Sequence, residues 1–166
     1  MVPVKTDIEK KLDKKISSLV GEAAVEYKRN FKFNAATFGN FLSNKLLVID
    51  IIQRGVPYSF FDIVQHFTPF KTEDWLDFLD ISSKTLVRYK ESEKTFKPSQ
   101  SEKIIEMAEV THAGLGVFGN LDKFRLWLNT PNFSLGKSKP VDLLKNSYGK
   151  ELVLAELTHI NYGILA

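Results

Sequence analysis

Cysteine is absent from this 166-residue chain. Its absence excludes disulfide frameworks, thiolate metal sites and cysteine nucleophiles. Long apolar runs are missing too. The richest, Leu46 to Ile52, is interrupted by Asp50, far short of the roughly 20 residues a membrane-spanning helix requires. Residues 1–15 mix five lysines with three acidic residues and hold no apolar stretch, unlike a secretory leader. The expectation is a cytoplasmic protein with no membrane partner. Glycine and proline stand at only 9 and 6, while 43% of residues are hydrophobic, which excludes disordered, collagen-like and low-complexity classes. What remains is a globular chain long enough to bury roughly 70% of its unfolded surface.

The excess of positive charge is small and uneven. Net charge is +4 over residues 1–54, −1 over 55–97 and zero over 98–166. This balance is compatible with nucleic-acid binding but does not demand it.

Apolar periodicity organises the chain. Residues 5–30 predict a charged helix with Ile8, Leu12, Ile16, Leu19 and Val20 on one stripe, either docked on the body or a partner, or serving as a basic arm for DNA. Phe31 to Phe41 breaks the period and is expected to be a linker. Ser43 is an N-cap candidate, and Gly55 stands where a helix ends. Pro57 is placed to open a second helix that carries Phe60, Phe61, Ile63, Val64 and Phe67 inward. Thr72 then caps a short helix with Trp75, Leu76 and Leu79 on its apolar face. Ser82 or Ser83 caps the next, to about Glu91, with Leu86 and Tyr89 inward.

The last two form either a helix-turn-helix or a plain αα-hairpin. In a helix-turn-helix the second helix enters the major groove, so its outward polar residues, Ser83, Lys84, Thr85 and Arg88, with Lys90 behind them, would meet bases and phosphates. Residues 82–97 carry a local +3 inside an acidic segment. Further helices are expected from Pro98 to about Val117, from Leu121 to Leu128, from Pro140 to Leu144, and from Gly149 to about Ile160, the last burying Leu152, Val153, Leu157 and Ile160. No run alternates with period two between hairpin turns. The fold class is therefore all-α.

Reactive groups do not converge. His66, His112 and His159 share no metal-ligand spacing, so no metal, cofactor or catalytic residue is expected. Gly114, Gly116 and Gly119 match the spacing of a dinucleotide fingerprint. That fingerprint must follow a strand and open a helix, whereas these glycines close one. Lys137 and Lys139 are candidates for holding an anion, and Asp142 fits the first turn of a helix better than a catalytic role.

Ala113-x4-Phe118-Gly119, Trp127-Leu128-x-Thr130-Pro131-Asn132 and Leu135-Gly136-x3-Pro140-x-Asp142-Leu143-Leu144 together resemble the toxin-binding domain of Xre/MbcA/ParS-type antitoxins. So does the ending, Gly149-x3-Val153-x3-Leu157-x2-Ile160-x-Tyr162-Gly163-Ile164-x-Ala166. Ile81-Ser82-x2-Thr85-Leu86-x-Arg88, followed by Pro98-x2-Ser101-Glu102, is similar to that family's Xre-like helix-turn-helix and the start of its long helix. Tyr89 departs from the pattern, standing where a basic residue is common, and residues 1–44 match nothing in it.

The resemblance implies an N-terminal Xre-like helix-turn-helix domain followed by a small helical toxin-binding domain. It implies a type II antitoxin, not an enzyme. Such a protein acts as a homodimer, represses its own operon by binding operator DNA, and occludes the active site of a cognate RES-domain toxin that consumes NAD or transfers ADP-ribose. The expected division is an N-terminal arm and linker over 1–42, a DNA-binding domain over 43–97 and a toxin-binding domain over 98–166. DNA contacts are expected at Ser83, Lys84, Thr85, Arg88 and Lys90. Toxin contacts are expected at Asn132, Phe133, Lys137 and Lys139, and along the tail Tyr162, Gly163, Ile164, Leu165 and Ala166, whose apolar residues have no local helix to bury them. The alternative is a stand-alone helix-turn-helix regulator whose C-terminal domain binds some other protein.

Overall fold

The structure is a computed structural model that describes residues 6–27 and 37–163. Among the described residues the regular structure is α1 (Asp7–Tyr27), α2 (Phe38–Ser43), α3 (Lys45–Arg54), α4 (Tyr58–Phe67), α5 (Thr72–Leu79), α6 (Ser83–Glu91), α7 (Pro98–Phe118), α8 (Leu121–Leu128), a 3-10 turn (Phe133–Leu135), α9 (Pro140–Leu143) and α10 (Ser147–Asn161). Extended pairing among them is confined to two isolated bridges, Pro57 with Thr95 and Asn132 with Ser138. The fold is all-α, as expected. No described helix is long and apolar enough to cross a membrane.

The helices gather into two compact units that interleave along the chain. The first comprises residues 1–67 and 84–102; the second comprises 68–83 and 103–166. These are units of packing, whereas the expected division at 42 and 97 is a division of labour that packing does not address.

In the first unit α1 lays its stripe of Leu12, Ile16, Leu19 and Val20 inward, all buried, and packs on α2, α3 and α4. The segment expected to link loosely is, from Thr37 onward, part of this core; residues 31–36 lie outside the described residues. Thr37 Oγ1 accepts from Asn40 N at 3.2 Å, which starts α2. Phe38 N donates to Asp13 Oδ1 at 2.7 Å, tying α2 to α1. Phe38 and Phe41 are buried. Two aromatic residues three apart on one capped turn give too short a pattern for periodicity to register.

Three expected helix starts move by one residue. Ser43 Oγ donates back to Gly39 O, so Asn44 starts α3 instead, its Oδ1 accepting from Leu47 N at 3.2 Å. Pro57 precedes α4, its carbonyl accepting from Phe60 N and Phe61 N. Thr72 is the first residue of α5, and the cap is Lys71, whose N donates to Asp74 Oδ2 at 2.8 Å.

Segment 55–58 lies antiparallel to 94–96. Tyr58 N donates to Lys94 O at 3.0 Å, and Phe96 N to Val56 O at 2.9 Å. Gly55 has φ +82°, and a Cβ there would collide with the carbonyl of Phe96. Ser101 closes the arrangement: its Oγ accepts from Val56 N at 2.9 Å and donates to Phe96 O at 3.1 Å. Phe96 forms the centre of an aromatic cluster with Tyr58, Phe61 and Tyr89.

In the second unit Phe70, Trp75 and Phe78 pack edge to face, and α7 contributes Ile104, Ile105, Met107, Ala108 and Val110, all buried. The Gly114-x-Gly116-x2-Gly119 spacing lies at the C-terminal end of α7, as anticipated, with Gly114 against the Phe124 ring.

Helix α10 starts earlier than expected, because Asn146 Oδ1 accepts from Gly149 N at 2.9 Å. Its buried side is Gly149, Val153 and Leu157, spaced by four. Leu152, expected inside, is exposed: it neighbours Val153, and successive helix residues point about 100° apart. Gly149 takes the inner position because a Cβ there would strike the carbonyl of Leu143.

Candidate nucleic-acid and partner interfaces

Helix α6 is seated by Leu86, which is buried, and by Tyr89, whose ring lies 4.9 Å from that of Phe96. With these turned inward, helical geometry sends Lys84, Val87, Arg88 and Glu91 to the opposite side, and all four are exposed. Ser83 and Lys90 are exposed on the flank, while Thr85 is half-buried. The Lys94 ammonium sits 5.6 Å from the centre of the Tyr89 ring, a cation–π contact. Tyr89, the departure from the family's basic position, thus acts as an anchor. Of the five expected DNA-contacting residues, four are exposed on one short helix.

The expected partner-facing loop is built on Asn132. Asn132 N donates to Ser138 O at 3.0 Å, and Lys137 N donates to Asn132 O at 2.8 Å. Consecutive positive φ values at Gly136 (+65°) and Lys137 (+63°) turn the chain back, and Leu135 is buried beneath it. Asn132 Nδ2 also reaches Glu156 Oε1 on α10, at 3.4 Å. Asn132 is therefore half-buried and braces the loop. Phe133 projects with 81% of its surface exposed, and Lys137 and Lys139 are exposed beside it. At the end of α10, Tyr162 is 74% exposed, and Gly163 follows at φ +67°. Ile164, Leu165 and Ala166 lie outside the described residues.

Four charged groups link α7 to α10. Lys103 Nζ lies 2.7 Å from Glu106 Oε2, and Lys150 Nζ lies 3.6 Å from Glu106 Oε1 and 3.3 Å from Glu109 Oε2. Burial acts to lower the Lys150 pKa, but Glu109 and Glu106 outweigh it, leaving the value above that of an ordinary lysine. Among the described residues, no group of three or more His, Cys, Asp or Glu side chains is arranged to hold a metal ion.

Sequence patterning passed over two exposed residues of this unit, Leu126 and Tyr148 at 82%, and assigned Leu152, 55% exposed, to the interior. Tyr148 and Leu152 are four apart on α10, and that spacing was the available signal.

Comparison with known proteins gives two family matches. Residues 48–109 match the antitoxin Xre-like helix-turn-helix domain, and residues 113–163 match the antitoxin Xre/MbcA/ParS C-terminal toxin-binding domain. The protein Antitoxin Xre of Yersinia enterocolitica (serotype O:8 / biotype 1B) is 25% identical over 125 residues, which are 75% of this chain and 84% of that protein. A chain in the crystal structure of the M. tuberculosis MbcT-MbcA toxin-antitoxin complex superposes with a TM-score of 0.51 at 24% identity, covering 62% of this chain and 94% of that one. At that identity the likeness is one of fold.

Proposed function

Because the chain belongs to the Xre/MbcA/ParS family of antitoxins, with its helix-turn-helix domain preceding a toxin-binding domain, we propose that it neutralises a RES-type toxin that consumes NAD or transfers ADP-ribose. Neutralisation proceeds by occlusion: the C-terminal domain covers the entrance to the toxin's active site, so the chemistry resides in the partner and this chain supplies no catalytic group. The same protein, as a cytoplasmic homodimer, represses its own operon. Lys84 and Arg88 meet the operator from the outward side of α6, with Ser83, Thr85 and Lys90 at the flank. Labour is divided as 1–42 for the arm, 43–97 for DNA and 98–166 for the toxin.

The observation that carries the toxin-facing part is the exposure of two large aromatic residues, Phe133 on the loop that Asn132 braces and Tyr162 at the end of α10. Interfaces concentrate their binding energy in such residues. The test is co-expression with the product of the adjoining gene, followed by an assay of NAD loss. The full chain is expected to form a tight complex and suppress NAD loss, and a chain lacking Tyr162 to Ala166 to remain folded without suppressing it. Protection by the truncated chain overturns the role of the tail. A full chain that purifies alone and leaves NAD turnover unchanged favours the stand-alone regulator.

A further inference from the structure

Helix α6 carries one residue that packing does not explain. Val87 is 53% exposed, and it shares its side of the helix with Lys84, Arg88 and Glu91, all exposed. Positions 84, 87, 88 and 91 fall on one helical face, while Leu86 and Tyr89 seat the other. Among the residues of α6, Val87 is the one large apolar side chain that stands exposed. A β-branched residue turned to solvent in mid-helix gives up helix propensity relative to alanine, and here it buries little in return. It also sits between two cations, Lys84 and Arg88. Glu91 lies at the C-terminal end of α6, away from the N-terminal residues that a helix-turn-helix sets against base edges.

We propose that Val87 is a specificity-determining residue of the operator interface and packs against the C5-methyl group of one thymine in the major groove. The inference rests on the DNA-binding reading given above and adds a base to it. Two observations select DNA as the occupant of this face. Residues 48–109 match a helix-turn-helix domain, and residues 82–97 carry a net +3, which suits a polyanion. The floor of the major groove is lined by hydrogen-bond donors and acceptors, and the thymine methyl is the apolar group it displays. An aliphatic side chain set between cations that hold the backbone therefore has one match there. Valine is suited to the task, because a helix fixes its χ1 in one rotamer and the contact costs it little side-chain entropy. Val87 and Arg88 are neighbours, 1.5 Å of helical rise apart, so the thymine lies within about two base pairs of the base pair that Arg88 meets.

The test uses the full-length chain and the promoter fragment of its own operon. Thymines in the protected region are replaced one at a time by deoxyuridine, which removes the C5-methyl and keeps the base pair. Affinity is read by gel shift for the unsubstituted chain and for Val87→Ala, a variant that retains the helix because alanine is the stronger helix former. At one thymine or more, deoxyuridine is expected to weaken binding of the unsubstituted chain by about fourfold, the worth of one buried methyl group. Val87→Ala is expected to lose at least as much on the thymine fragment and to lose nothing further when the same position holds deoxyuridine. Such non-additivity marks direct contact. A Val87→Ala chain that remains fully sensitive to deoxyuridine at that position overturns the thymine contact. So does one that binds the thymine fragment as tightly as the unsubstituted chain, or a scan in which no thymine responds. In these three outcomes the unsubstituted chain still binds the promoter, and the DNA-binding reading stands. An unsubstituted chain that shows no preference for the promoter over unrelated DNA of equal length removes the reading and the inference together.

Discussion

Gly114 of α7 lies flush against the ring of Phe124 of α8, so close that a Cβ at position 114 would overlap the ring edge. Phe124 has no room to yield: it is fully buried, with Phe118 and Trp127 stacked on it at 5.9 and 6.0 Å. Gly114→Ala is expected to destabilise the second unit by about 1–2 kcal/mol, because the overpacking cost exceeds the helix propensity gained by removing a glycine. Thermal or urea unfolding measures this, and a more stable variant would show that Phe124 is free to move.

Ser101 explains a residue that the sequence singled out only by resemblance. Its hydroxyl serves a buried donor, Val56 N, and a carbonyl on Phe96, itself a buried residue. Ser101→Ala strands both without opening a path for water. A loss of about 1–3 kcal/mol is expected from groups left buried and unpaired, read from the denaturation midpoint at constant slope. Ser101→Thr, which keeps the hydroxyl, recovers part of the loss if its extra methyl is accommodated.

Lys150 supplies a pH dependence of defined sign. Its pKa is raised in the folded chain, so its contribution to stability is complete below the ordinary lysine value of 10.5 and falls as pH climbs through the higher folded value. Lys150→Met is expected to cost about 1–3 kcal/mol near neutral pH, the range for a hydrogen-bonded charged group. The gap between variant and unsubstituted chain narrows in melts taken at pH values increasingly above 10.5. A gap constant across that range would remove Lys150 from the linkage.

Arg88 stands exposed on the outward side of α6, where a guanidinium has the fork geometry to read guanine. Arg88→Ala is expected to cost about 1–3 kcal/mol of operator affinity and to relax sequence preference at one position, whereas Lys90→Ala weakens binding to all sequences alike and lowers the salt dependence. Gel-shift titrations at two salt concentrations separate the two. Unchanged affinity in Arg88→Ala would take the outward face of α6 out of DNA contact.

The helical succession was legible because its signals are local. A buried stripe at three- and four-residue spacing, as in α1, imprints its period whatever the rest of the chain does, and a proline or glycine ends a helix by its own dihedral limits. The C-terminal resemblance was legible for a related reason: Gly149 and Asn132 occupy positions where a missing Cβ or a loop-bracing amide leaves few substitutes.

The errors also have a common cause. Ser43 lost the cap of α3 to Asn44 because Ser43 Oγ is taken by Gly39 O, and Phe38 and Phe41 joined the core because Asp13 on a distant helix accepts from Phe38 N. Leu152 and Val153 are equally apolar, and only the approach of α10 to Leu143, permitted by Gly149, decides which of them is buried. Sequence by itself therefore determined the helical class and the order of elements. Tertiary structure decided which way each faces, because burial depends on what a distant part of the chain brings alongside.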